Sequence, residues 1–308
     1  MPSTAMQNRA MDGVVRRIAA AKINLYLHIT GRRADGYHCL DSMVAFAAIG
    51  DLVTAAPADE ISLRIEGPMA AGLGPATEDN LVYRAARALA DAGGVDSGAA
   101  LTLVKHLPVA SGLGGGSADA AAALQALRVL WKLSIDDDEL KRIGLALGAD
   151  VPVCLGGRAT VMTGVGEKLD DLAALPDCHL VLVNPGVAVS TAEVFGGLAG
   201  GATNSPPPIG AFSDMADFLS MLEQRGNDLE PPAMRIAPVI DAVLQSLKAH
   251  PECRLARMSG SGATCFGLYE DETSAVICAD QIMRDHPQWW VAVTRLVSDT
   301  ERLQAWAA

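Results

Sequence analysis

Between strand-forming residues at 99–105 and a run of alanines beginning at 118, the chain carries Pro108-Val109-Ala110-Ser111-Gly112-Leu113-Gly114-Gly115-Gly116-Ser117-Ala118-Asp119. Four glycines so close together disfavour strand and helix alike, so this segment must be a loop. The residues after it have helical spacing, with Ala120, Ala123, Leu124, Leu127, Leu130 and Trp131 at intervals of mostly three or four. A glycine loop that opens a helix gathers free backbone N–H groups and the positive end of the helix dipole at one place, a setting made for phosphate. A flexible turn easing a tight connection would also use glycine; four of them plus a serine directly at a helix start favour phosphate. No Gly-Lys-Ser/Thr occurs, which excludes a Walker A loop, and the GxGxxG spacing of a dinucleotide fingerprint is missing.

A chain of 308 residues, half of them hydrophobic and 19% charged, can build packed cores without disulfides. Two domains are expected, 1–172 and 173–308. The net charge of −12 argues against nucleic acid and anionic membranes as partners, so a phosphate ligand must rely on helix-start amides, a few lysines and Mg²⁺. The six cysteines form no CxxC pair and read as reduced, mostly buried thiols; metal ligands stay unassigned. Arg9, Arg16 and Arg17 precede an apolar stretch that Lys22 and Asn24 interrupt, so no secretion signal is read. Nor does any stretch reach the length of a membrane span, and a cytoplasmic monomer or homodimer is expected.

Residues 1–13 read as a loose leader and 14–30 as a strand. Its alternation predicts Ile23, Leu25, Leu27 and Ile29 on one face and Lys22, Asn24, Tyr26 and His28 on the other. Asp35-Gly36 marks a turn before an apolar segment at 40–49. Helices are predicted at 80–92 and 136–147, the latter ended by Gly148, with Pro152 in Asp150-Val151-Pro152 discouraging continuation. A strand at 179–183 leads to the turn Asn184-Pro185-Gly186, and 196–208 reads as a mobile surface loop. Further on lie a helix at 238–250, a second glycine loop at 259–262, a strand to Tyr269 and a helix at 273–284.

Three segments, Ala21-Lys22-Ile23-Asn24-Leu25, Gly112 to Ala118 and Met258-Ser259-Gly260-Ser261-Gly262-Ala263, resemble in order the three motifs of the GHMP kinases, the family of galactokinase, homoserine kinase and mevalonate kinase. Gly31-Arg32-Arg33-Ala34-Asp35-Gly36-Tyr37-His38, Gly148-Ala149-Asp150-Val151-Pro152 and Asn184-Pro185-Gly186 resemble one branch of that family. Its substrate is a cytidine diphosphate derivative of a small polyol, phosphorylated by ATP on a 2-hydroxyl in the non-mevalonate route to isoprenoid precursors. The resemblance implies an α+β, two-domain fold with the active site in the inter-domain cleft, and ATP and Mg²⁺ as cofactors.

It also implies roles. Asp150 would accept the hydroxyl proton while Lys22 keeps it ionised and stabilises charge on the phosphoryl group. Residues Pro108 to Ala118 would bind ATP, with Lys105 and Asn80 near the adenine. Asn24 would orient the acceptor, Tyr37, His38 and Phe195 would surround the cytosine, and Thr191, Gly260 and Ser261 would complete the substrate site. On spacing alone, Lys22 also reads as a solvated edge charge, Asp150 as an Asx turn, Lys105 as an exposed lysine, Asn80 and Thr191 as helix caps, Phe195 as core, and Tyr37-His38 as loop packing. Ala118 stands where many members of the family carry a second serine, leaving Ser117 and backbone amides for the phosphates. Two rivals stay open: another GHMP kinase, which the Gly31–His38 segment argues against, and a nucleotide-binding regulator without chemistry, which Lys22 and Asp150 argue against.

Overall fold

A long antiparallel hairpin forms the frame of the molecule. Strands β1 (Val15–Arg32) and β2 (His38–Ala58) reverse through Asp35-Gly36, where Gly36 takes φ +92°, a value open to glycine because it has no Cβ. The computed structural model describes residues 13–74, 77–198 and 203–307. Most of the predicted leader and the middle of the 196–208 loop therefore lie outside the described residues.

The C-terminal half of β2 pairs with β4 (Gly98–Val104), which holds β3 (Ser62–Glu66) in parallel; its N-terminal half pairs with β5 (Thr160–Gly164), followed by β6 (Lys168–Asp171). Helices α1 (Leu81–Gly93), α2 (Gly115–Leu130), α3 (Asp137–Leu147) and α4 (Val151–Gly156) belong to this half. Residues 120–123 of α2 are all alanine and all buried, so the helix lies close to the sheet and to α1 and shares one core with Val53, Leu101 and Leu103. The predicted end of α3 is correct: Asp136 caps its start and Gly148 follows it. Beyond that end the chain starts a short helix, α4, that the sequence pattern did not predict, and Pro152 lies within it. It sits in the first turn of α4, where its missing N–H costs nothing.

The second half is a sheet of order β10-β7-β9-β8, from β7 (His179–Asn184), β8 (Leu255–Met258), β9 (Cys265–Tyr269) and β10 (Trp290–Val297). It carries α5 (Thr191–Gly196), α6 (Met215–Glu223), α7 (Glu230–Ile236), α8 (Val239–Lys248) and α9 (Glu272–Asp285). Along β7, Val181 and Val183 pack into a core with α8 and α9, while Leu180 and Leu182 pack into another with β1, β2 and α6. Burial on both faces explains the unbroken apolar run of this strand. At its end β10 joins the two sheets, pairing Leu296 and Val297 with Ala47 and Phe46 of β2. Helix α10 (Glu301–Ala307) then returns to β1, where Gln304 hydrogen-bonds both ways with the backbone of Ile18. The end of the chain thus returns to the sheet of the first half.

The predicted alternation of β1 fails at a bulge. Asn24 pairs with Val44 and Tyr26 with Met43, so Leu25 is an extra residue in the ladder. Tyr26 consequently joins Ile23 and Leu25 in one core, whereas Leu27 and Ile29 join another. Leu27, not Tyr26, shares a cavity wall with Lys22 and Asn24.

Both glycine loops meet at the junction of the halves. Gly112 has φ +78°, and a Cβ there would overlap the backbone carbonyl of Ser259. Replacing Gly112 with Ala should lower unfolding stability by more than the ~1–2 kcal/mol of a left-handed non-glycine residue, because the neighbour is backbone and cannot turn aside. Urea unfolding of the variant would measure this; an unchanged midpoint would show that the loops do not meet.

Candidate active site

Helix α2 begins at Gly115, with Gly114 at the N-cap in the left-handed region (φ +63°) and no side chain capping it. The amides of the first turn are thus left for a ligand. They face a cavity of about 340 Å³ lined by Pro108, Val109, Ala110, Ser111, Gly112, Gly114, Gly115, Gly116, Ser117 and Lys105, and across it by residues 260–262. Three expected ATP contacts stand elsewhere. Leu113 and Ala118 are buried in cores, and Asn80 is the N-cap of α1, its Oδ1 accepting from the amide of Val82. The apolar Leu81 beside it lines the cavity instead.

Lys22 is 4% exposed, not a solvated edge charge. Its ammonium lies 3.0 Å from Asp150 Oδ2 and donates to Asn24 Oδ1 at 3.0 Å. Asn24 is itself fixed: its Nδ2 donates to Ser42 Oγ at 2.8 Å and its backbone N–H to Ser259 Oγ at 3.1 Å, which in turn donates to the Gly112 carbonyl. The Lys22 stem runs under the loop, where a Cβ on Gly114 would press on it. Asp150 occupies the N-cap position of α4, yet its side chain makes no capping bond. Its carboxylate is committed to Lys22 rather than to a turn.

Lys22, Asn24 and Asp150 form the wall between the nucleotide-sized cavity and a second one of about 690 Å³. Tyr37, His38 and Phe195 line the second; the rings of His38 and Phe195 are 5.2 Å apart and tilted by 37°, and Tyr37 is 66% exposed at the rim. Gly260 and Ser261 border both cavities. Thr191 lines the first, with its Oγ1 2.8 Å from Ser261 Oγ, while Ser190 rather than Thr191 caps α5. Leu27, Leu40, Met162 and Val165 add an apolar side that the sequence pattern did not reveal.

Lys105 is also buried, at 2% exposure, not the exposed lysine its sequence suggests. Its ammonium donates to Asp51 Oδ2 and, at 2.9 Å, to Asp119 Oδ2. Asp51 Oδ1 accepts from the amides of His106 and Leu107, tying the strand's exit to β2. Burial pushes the Asp119 carboxyl up to about 8, with Asp51 adding to the rise and Lys105 opposing it. Asp119 lines the smaller cavity, and its Oδ1 is buried without a hydrogen-bond partner. One sequence signal could have found this cage: a lone aspartate in the apolar strand around Asp51 needs a buried partner. Among the described residues no group of three or more His, Cys, Asp or Glu forms a metal cluster, and no helix is long and apolar enough to cross a membrane.

Residues 80–158 match the GHMP kinases N terminal domain and residues 209–287 the GHMP kinases C terminal domain. A 4-diphosphocytidyl-2-C-methyl-D-erythritol kinase of Rhodospirillum rubrum is 49% identical over 96% of this chain and 97% of its own length. One of Cereibacter sphaeroides is 56% identical over 91% of this chain and 98% of its own. A crystal structure of a 4-(cytidine 5'-diphospho)-2C-methyl-D-erythritol kinase superposes with a TM-score of 0.73 at 34% identity, covering 92% of this chain and 99% of that one.

The buried cage has a consequence for stability. Between the ordinary carboxyl value of 3.8 and about 8, the folded chain holds a proton on Asp119 that the unfolded chain has released. This group therefore lets stability fall as pH rises through that window. Asp119→Asn, which cannot titrate, should flatten the dependence of the melting temperature on pH between about 5 and about 8. Parallel curves for variant and wild type would show that Asp119 is ionised throughout.

Proposed function

We propose that this chain, which belongs to the GHMP kinases and within them to the 4-diphosphocytidyl-2-C-methyl-D-erythritol kinases, transfers the γ-phosphoryl group of ATP to the 2-hydroxyl of 4-diphosphocytidyl-2-C-methyl-D-erythritol. The observation that carries this reading is the Lys22–Asp150 pair, 3.0 Å apart, at the wall shared by the two cavities. ATP occupies the smaller, with its phosphates on the amides of Gly115 to Ser117. The cytidyl substrate occupies the larger, its base between Tyr37, His38 and Phe195, in the cytoplasm where both are supplied.

Phosphoryl transfer asks the protein for alignment and charge neutralisation more than for covalent work. Asp150 accepts the proton of the 2-hydroxyl as its oxygen bonds to the γ-phosphorus, and the bond to the β,γ-bridging oxygen breaks to release ADP. Lys22 holds Asp150 in place and neutralises charge that develops on the transferred group. Asn24 anchors Lys22 on the opposite side. Mg²⁺ bound with ATP would supply further neutralisation of the phosphates, and the Ser117 hydroxyl at the cavity wall would be an oxygen donor for it.

The test is to incubate the protein with MgATP and a panel of small alcohols, including homoserine, mevalonate and the cytidyl substrate, and to identify products by mass. Phosphate gained only by the cytidyl compound is the expected result; transfer to another alcohol would overturn the assignment. Asp150→Asn should keep ATP binding and lower turnover by about two to four decades. Tyr37→Ala or Phe195→Ala should weaken a cytidine diphosphate ligand by ~1–3 kcal/mol and leave a non-hydrolysable ATP analogue unaffected. If the ATP analogue weakens instead, the two subsites are exchanged.

A further inference from the structure

Arg257, in β8, is 7% exposed, and no carboxylate among the described ion pairs answers it. Burial lowers its pKa to about 10, with Glu230 opposing the drop, so the guanidinium is charged at neutral pH. A buried charge of this kind is costly unless its protons are hydrogen-bonded. Here they are bonded to three backbone carbonyls: Nη1 to Leu25 at 2.6 Å, and Nη2 to Leu222 at 3.0 Å and Arg225 at 2.6 Å.

Each of these carbonyls lies at a point where regular structure gives out. Leu25 is the bulge residue that the β1–β2 pairing skips. Leu222 belongs to the last turn of α6, at the negative end of its dipole, where its carbonyl accepts from the amides of Gln224 and Arg225 as the helix ends. Arg225 opens a strap that runs along β1 just past the bulge: the Leu27 amide donates to the Gly226 carbonyl and the Asp228 amide to the Leu27 carbonyl. From the same strap Asn227 Nδ2 donates to the carbonyls of Met258, the last residue of β8, and of Gly260 in the second glycine loop.

The bulge decides which β1 side chains face the cavities. With Leu25 as the extra residue, Lys22, Asn24 and Leu27 share the cavity wall; a ladder without it would present Tyr26 in place of Leu27. A one-residue change of register moves every side chain beyond it to the opposite face. We propose that Arg257 is a positioning residue for phosphoryl transfer, its guanidinium pinning the Leu25 carbonyl so that the bulge holds Asn24, and through it Lys22, against Asp150. The planar fork is essential, since one lysine ammonium cannot span carbonyls that come from β1, α6 and the strap. For its kinetic readout the proposal rests on the kinase reading above.

The experiment compares wild type, Arg257→Lys, Arg257→Met, Asn24→Ala and the Arg257→Lys/Asn24→Ala double variant in thermal melts and in steady-state kinetics with MgATP and the cytidyl substrate. Arg257→Lys should melt cooperatively, keep KM for ATP within about threefold and lose about tenfold to a hundredfold in kcat, the scale of a small misplacement of reacting groups. Its loss should vanish in the Asn24→Ala background, because both changes act through the same hydrogen bond to Lys22. Multiplicative losses in the double variant, or an unchanged kcat in a folded Arg257→Lys or Arg257→Met, would overturn the proposal. If neither Arg257 variant folds, the residue serves stability alone and the proposal fails. Wild-type turnover in the same assay separates failure of the kinase reading from failure of this one.

Discussion

An ammonium buried as deeply as Lys22 must find its counter-charge and its hydrogen bonds within the protein, and most of the site is set by how it does so. Asp150 supplies the charge from the start of α4, Asn24 a carbonyl oxygen from two residues along β1. The loop meets the same residue through its backbone, the Lys22 amide donating to the Leu113 carbonyl at 2.9 Å. Fixing one side chain therefore fixes the relation between the strand, the phosphate loop and the candidate base. Glycine at 114 is part of the same solution, since any side chain there would displace the lysine stem.

The second half of the chain takes part through backbone contacts rather than charge. Its glycine loop packs against Gly112 with no side chain between them, and Ser259 hydrogen-bonds to both the Gly112 carbonyl and the Asn24 amide. Behind this contact lies a sheet whose β7 strand is buried on both faces, so the loop rests on a rigid layer. Rigid support matters here, because alignment is most of what this chemistry requires.

Features carried by neighbouring residues were legible in the sequence. The glycine loop, its place between strand and helix, the Asn80 cap and the Asp35-Gly36 turn all depend on residues within a few positions of one another. The bulge was not legible, because Leu25 and Tyr26 are both apolar enough to bury and the alternation continues through them unmarked. The Lys105 cage was missed for a different reason: its aspartates lie 54 and 14 residues away in sequence, and only the pairing of β4 with β2 and the packing of α2 bring them together. Helix α4 was missed because Pro152, which fits the end of α3, is equally welcome in the first turn of a new helix, and proline alone does not say which applies.

The cage also bears on how a chain of net charge −12 can hold a triphosphate. Lys105 lines the smaller cavity, but its ammonium is held by hydrogen bonds to Asp51 and Asp119, with Asp51 as counter-charge, and offers little to a further anion. Lys22 is answered in part by Asp150. Neither lysine beside the loop therefore stands free, and in the proposed site attraction for phosphate would come chiefly from oriented amides at the start of α2. Such a site holds its ligand by geometry more than by net charge. Amides fixed in direction favour a phosphate at one position, and a phosphoryl group must be held at one position to be transferred in line to an acceptor hydroxyl.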